Sequence, residues 1–288
     1  MAFDSVELPF GDIPSLELHA AAASISMLPV AEGQTARMEV RSHSREQIVR
    51  TRRDGEKVVV EIGHGFWQGH VRLDLYLPHR VIARVVTDHG RLRAEKFDGA
   101  SFDLETHAGV IMLNDVVGQL RLRTGAGSIQ ARGCGGKIDV EAGAGSIGLD
   151  IVKLEPGRHR VHSNVGAVRI GLAANLSVKI EASTQMGSVR NRYPQRDNAE
   201  SVLSLTTNMG AVKVRETSQT DVSDWIDVDA WVNWAERHLM SGPPWRRENE
   251  AKVERVEPQD NIRRVLEMVQ AGKITPQDAE ALLRAMSV

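Results

Sequence analysis

Thr124-Gly-Ala-Gly127-Ser-Ile129 and, one period later, Ala142-Gly-Ala-Gly145-Ser-Ile147 decide the fold of this chain. They are copies of one pattern. A small or hydroxyl residue is followed by two variable positions, a glycine, one more residue and an aliphatic residue. Five more copies flank them: Thr87-Asp-His-Gly90-Arg-Leu92, Thr106-His-Ala-Gly109-Val-Ile111, Ser163-Asn-Val-Gly166-Ala-Val168, Thr184-Gln-Met-Gly187-Ser-Val189 and Thr207-Asn-Met-Gly210-Ala-Val212. The glycines are 19, 18, 18, 21, 21 and 23 residues apart. A period near 20 marks an architecture in which each repeat buries its apolar face only by stacking on its neighbours. The pattern predicts a mainly β fold, a single-stack parallel β-solenoid of about seven coils over 81–216.

Period-2 alternation around each copy makes the repeats strands. Two residues before the hydroxyl position stand Val85, Leu104, Leu122, Val140, Val161, Ala182 and Leu205; four before it stand Ala83, Phe102, Leu120, Ile138, His159, Ile180 and Leu203. These point inward, with His159 as the one polar member, expected in the core with a hydrogen-bond partner. After the hydroxyl come Asp88, His107, Gly125, Gly143, Asn164, Gln185 and Asn208, types that tolerate positive φ and predict a sharp corner. The glycine-rich segments are not phosphate loops, because a strand rather than a helix N-terminus follows them.

Outward, three residues before the hydroxyl, the chain reads Arg84, Asp103, Arg121, Asp139, Arg160 and Glu181. The sign alternates at each step, and Glu105, Arg123, Glu141 and His162 alternate beside it. Stacked at sheet spacing, these become ladders of opposite charge that fix the register. Beyond the corner the outward face carries Arg169, Arg190, Arg192, Lys213 and Arg215, an uncompensated basic strip and a candidate docking surface for an anionic partner or membrane headgroups.

The chain has 288 residues, 41% apolar and 26% charged, with a formal net charge of −2. Near-neutrality argues against nucleic acid as the main partner. The lone Cys134, read as a loop thiol in Gly133-Cys-Gly-Gly136, excludes an internal disulfide and a Cys-rich zinc site. No pair among the ten histidines has helix-face metal spacing beside a carboxylate, so neither metal nor cofactor is expected. The first residues carry no basic leader, and Ala20 to Val30 is too short and serine-broken to span a membrane. The expectation is a cytoplasmic protein, peripheral at most to the inner face of the membrane.

Residues 1–80 read as a strand-rich entry segment, either irregular early coils or a capping β-layer, with a hairpin signal at Arg52-Arg-Asp-Gly55. An amphipathic helix carrying Trp225, Trp231 and Trp234 is expected at 221–242 as a cap over the open end, with an interfacial membrane helix as the alternative. A charged linker, 243–257, leads to a helical hairpin at 258–288. Its stripes, Ile262, Leu266 and Val269, then Ile274, Leu282 and Leu283, are too short to stand alone and are candidates for a partner or oligomer contact.

The glycine-cornered repeats, with the strand-rich entry and Leu77-Pro78, resemble the putative-adhesin β-solenoid family of bacteria. The tail Val265-Leu-Glu-Met-Val-Gln-Ala-Gly-Lys-Ile-Thr-Pro-Gln-Asp-Ala-Glu-Ala-Leu-Leu283 is similar to the helical hairpin of YvlB- and LiaX-type proteins. The resemblance implies a non-enzymatic scaffold acting through protein contacts, in some members linked to envelope stress, and brings no catalytic residues. The expected partners are a protein or a second copy, giving a homo-oligomer. Three rivals are a β-helix enzyme acting on polysaccharide, a regulatory module whose helical hairpin binds a membrane or signalling partner, and a rod that self-assembles end to end. The enzyme would need free carboxylates on one face, where Asp103 and Asp139 are expected to be paired.

Overall fold

The structure is a computed structural model that describes residues 2–31, 33–42, 49–62, 71–194, 196 and 198–217. The chain divides into two compact units, Met1–Trp225 and Ile226–Val288, and all described residues belong to the first. The helix expected at 221–242, the linker and the hairpin lie outside the described residues.

The described part is mainly β, one sheet of eleven strands. In chain order these are β1 (Ala2–Glu7), β2 (Ser15–Pro29), β3 (Arg37–Ser42), β4 (Val49–Asp54), β5 (Lys57–Ile62) and β6 (Val71–Leu77). Then follow β7 (Ile82–Leu154), β8 (Gly157–Val165), β9 (Val168–Ala173), β10 (Val178–Asn191) and β11 (Ser201–Thr217). The 73 residues of β7 hold four corner motifs and run as extended chain through each.

The corner is built on backbone contact. Gly145 has φ 138°, and a Cβ there would run into the carbonyl oxygen of Gly127. The same collision links Gly127 to Gly109, Gly109 to Gly90, Gly166 to Gly145, Gly210 to Gly166 and Gly187 to Gly210. Successive passes therefore lie directly on one another at this edge, closer than any side chain allows. Corner hydroxyls turn back on the same backbone: Thr87 Oγ1 donates to the His89 carbonyl at 3.0 Å and Thr184 Oγ1 to that of Gly210 at 3.2 Å. The residues after the hydroxyl are not left-handed, contrary to the sequence expectation; positive φ falls instead on the corner glycine in six of the seven passes, Gly109 being the exception.

A second corner was not visible in the sequence. Lys96, Asp115 and Gly133 have φ of 60°, 53° and 60°; each precedes a buried residue (Phe97, Val116, Cys134) and then a positive-φ glycine two further on (Gly99, Gly118, Gly136). Cys134 is thus a core residue and not a loop thiol. Its Sγ–H donates to the Asp150 carbonyl at 3.2 Å, and burial pushes the thiol up to about 12.

Leu104, Leu122, Val140, Val161 and Leu205 are all buried, as are Ile129, Ile147, Val168 and Val212 after the corner. His159 is buried among them. The Ile138 N–H donates to its Nδ1 at 3.2 Å, so Nε2 carries the proton and donates to the Glu155 carbonyl at 2.8 Å.

Stacking order departs from chain order at both ends. β11 lies between β8 and β10, with Leu203 opposite His159 on one side and Ile180 on the other, all parallel. The last pass in the chain is thus second to last in the sheet. Ser204 separates Arg160 from Glu181, so the charge alternation stops at the Asp139–Arg160 pair and does not reach Glu181. The first passes make the same exchange. β2 pairs with β7 on one side, and with β5 and β6 on the other, again parallel. Its Ala20, Ala23 and Ile25 stand opposite Thr87, Gly90 and Leu92. Ala20-Ala-Ala-Ala23-Ser-Ile25 is therefore the same corner with alanine in the glycine position. β1, β3 and β4 add to this end antiparallel, β4 through the turn at Gly55. The entry segment thus contains both early passes and an antiparallel layer.

Candidate anion-docking surface

Three carboxylates of the repeat face, Asp103, Glu105 and Asp139, are paired with arginines. Asp139 meets Arg121 Nε at 3.4 Å, and Arg123 bridges Asp103 at 3.0 Å and Glu105 at 3.3 Å. Asp103, Arg121 and Asp139 line a shallow groove of about 300 Å³ with Ser101, Gln119 and Lys137.

The basic strip is assembled by the exchanged order of the last passes. Arg190 stands opposite Lys213, and Lys213 opposite Arg169. One strand further in, Arg169 faces Gly148. Three cations thus occupy one column on adjacent parallel strands, at the roughly 4.8 Å spacing of a sheet. Like charges directly opposed destabilise, by roughly 0.2–1 kcal/mol per pair and less where solvent screens them. Arg169, Arg190, Arg192 and Lys213 have no ion-pair partner among the described residues.

Two residues on, the second column holds Asp150, Gly171 and Arg215 in register. The Arg192 N–H donates to the Val214 carbonyl at 2.9 Å, which extends the ladder and puts Arg192 beside Arg215. Asp150 corrects the sequence reading of this column. Burial pushes its carboxyl up, while a hydrogen bond from the Thr217 hydroxyl (3.4 Å) and the charges of Arg132 and Arg215 pull it back. Arg215 is therefore partly compensated. Gly171 makes this possible, since a Cβ there would collide with both Thr217 Oγ1 and Asp150 Oδ1.

Sequence reasoning missed the neighbour of this strip. The residue before the corner glycine is Ala108, Ala126 and Ala144 in the middle passes but Val165, Met209 and Met186 in the last three. Those three stand opposite one another in register and are exposed. The signal was present in the motif itself, whose variable positions were read only for bend geometry. The hairpin candidates Ile262, Leu266, Val269, Ile274, Leu282 and Leu283 lie outside the described residues.

Residues 260–288 match the family model of the SHOCT-like domain. No curated protein matches the chain. Among solved structures, the chain is similar to a putative cell adhesion protein from Clostridium sporogenes, at 9% identity and a TM-score of 0.40, covering 75% of this chain and 99% of that one. It is also similar to a putative adhesin from Parabacteroides distasonis, at 12% identity and a TM-score of 0.43, covering 74% and 96%. A third, a putative adhesin from Bacteroides fragilis, has 11% identity and a TM-score of 0.33 over 74% and 97%.

Proposed function

We propose that this chain is a non-catalytic interaction protein, built on a single-stack parallel β-solenoid, that docks an anionic partner on the face bearing Arg169, Lys213 and Arg190. The observation that carries the reading is the in-register stack of those three cations with no carboxylate beside them. A fold that alternates charge with care from Asp103 to Arg160 abandons alternation here. Stacked cations cost stability in the free protein, and a bound anion reverses that sign. The parallel pairings and the collision-tight glycine column support the solenoid.

In this reading the protein works in a bacterial cytoplasm beside the inner face of the membrane, within envelope-stress or membrane-associated assembly. The C-terminal hairpin, of the YvlB and LiaX type, contributes Ile262, Leu266, Val269, Ile274, Leu282 and Leu283 to a protein partner or to self-association. The test is binding of fluorescent poly-glutamate by anisotropy at several salt concentrations. We expect salt-sensitive binding that the triple variant Arg169→Gln, Arg190→Gln, Lys213→Gln loses and Arg158→Gln keeps. Equal binding by the triple variant and the parent would remove the reading.

A further inference from the structure

We infer that the anionic partner is a lipid bilayer, met by the last three passes with an apolar ridge and a basic column side by side. The inference rests on the anion-docking reading above and adds the partner's class. Val165, Met209 and Met186 are 49%, 46% and 65% exposed and stand on three adjacent strands in one register. Four residues further along the chain, past the corner glycine, stand Arg169 (on β9), Lys213 and Arg190. The surface therefore changes, within a few residues, from methyl and thioether groups to guanidinium and ammonium groups.

An acidic peptide would satisfy the cations alone and leave the ridge in water. Each ridge residue stands one position before a positive-φ glycine, Gly166, Gly210 or Gly187, and is exposed. An exposed apolar edge beside cations fits the boundary between headgroups and acyl chains. Cations flanking such an edge meet the anionic headgroups at the same depth, and each adds to the attraction near the surface. The apolar ridge is confined to this end of the strand order, and the one cation at the equivalent position elsewhere in the repeats, Arg93, is paired with Glu95. In the middle passes the ridge position is alanine and the cation position is Met112, Gln130 or Gly148.

The experiment uses the full chain and co-sedimentation with vesicles of phosphatidylcholine alone or with a third phosphatidylglycerol, beside the poly-glutamate assay. We expect binding to the anionic vesicles only. The double variant Met186→Ser, Met209→Ser should bind them at least about tenfold more weakly while binding poly-glutamate as the parent does. A solvatochromic dye on Met186→Cys should shift to the blue on anionic vesicles, and the same dye on Ile13→Cys, which is 54% exposed in the entry segment, should not. Poly-glutamate binding without vesicle binding, or vesicle binding indifferent to the double variant with no shift at position 186, would overturn the bilayer and leave the anion-docking reading. Binding to neither would overturn both.

Discussion

Gly145 and Gly157 separate two demands that a single residue can face. Both have positive φ, 138° and 126°, but an added Cβ strikes the Gly127 carbonyl in the first and nothing within 4 Å in the second. A non-glycine residue held in so sparse a backbone region costs on the order of 1–3 kcal/mol. We expect Gly157→Ala to cost that much, and Gly145→Ala clearly more, in urea midpoints at equal m-value. Equal losses would mean that the passes are not in backbone contact at the corner. Cys134 offers a second check. With its thiol held up at about 12 by burial, it should stay unmodified by a disulfide reagent at pH 8 and react in full once the protein is unfolded. Reaction in the native state at the rate of a free thiol would contradict the core placement. The corner glycines were legible because one residue type fills the position in seven passes. The second corner was not, because Lys96, Asp115 and Gly133 share a conformation and no chemistry.

Strand order is the element-scale finding least accessible to sequence. Apolar periodicity has the same form whether β10 or β11 follows β8, since both present inward residues at the same phase. What distinguishes the two orders is which outward residues become neighbours. Asp139→Arg puts a third cation between Arg121 and Arg160, and we expect it to cost about 1 kcal/mol more than Asp139→Ala. Glu181→Arg would do comparable harm if Glu181 lay beside Arg160. With Ser204 between them, it should lose only its exposed contact with Lys179 and stay within about 0.5 kcal/mol of the parent. A loss at Glu181→Arg equal to that at Asp139→Arg would restore the sequential order. At the other end, Lys57 on β5 bonds Glu17 on β2 at 2.9 Å. That bond, with His19 beside it, holds the Glu17 carboxyl down from its ordinary 4.5 to about 2. A depressed carboxyl stabilises above its unfolded value and loses that contribution as pH falls through the folded one. The stability gap between the parent and Lys57→Met should therefore be present at pH 6, shrink below pH 4.5 and vanish only below pH 2. A gap independent of pH would assign the effect of Lys57 to packing.

At the scale of the molecule, the described residues of the unit Met1–Trp225 hold a continuous core. Truncation after residue 257, which removes the hairpin and keeps the segment read as a cap, should leave the melting temperature unchanged; a clear drop would make the hairpin part of the fold. The charge alternation, set beside the glycine period, has a consequence for how proteins of this design can change size. Removing one 18-residue pass, residues 122–139, leaves every other corner intact but brings Arg121 against Arg160. Removing two, residues 104–139, brings Asp103 against Arg160, and the signs still alternate. Length in the middle of the stack is thus quantised in pairs of passes. The exchanged passes at either end, each held between neighbours from elsewhere in the chain, interrupt the sequential stacking, so gain or loss of whole passes is directed to the interior of β7.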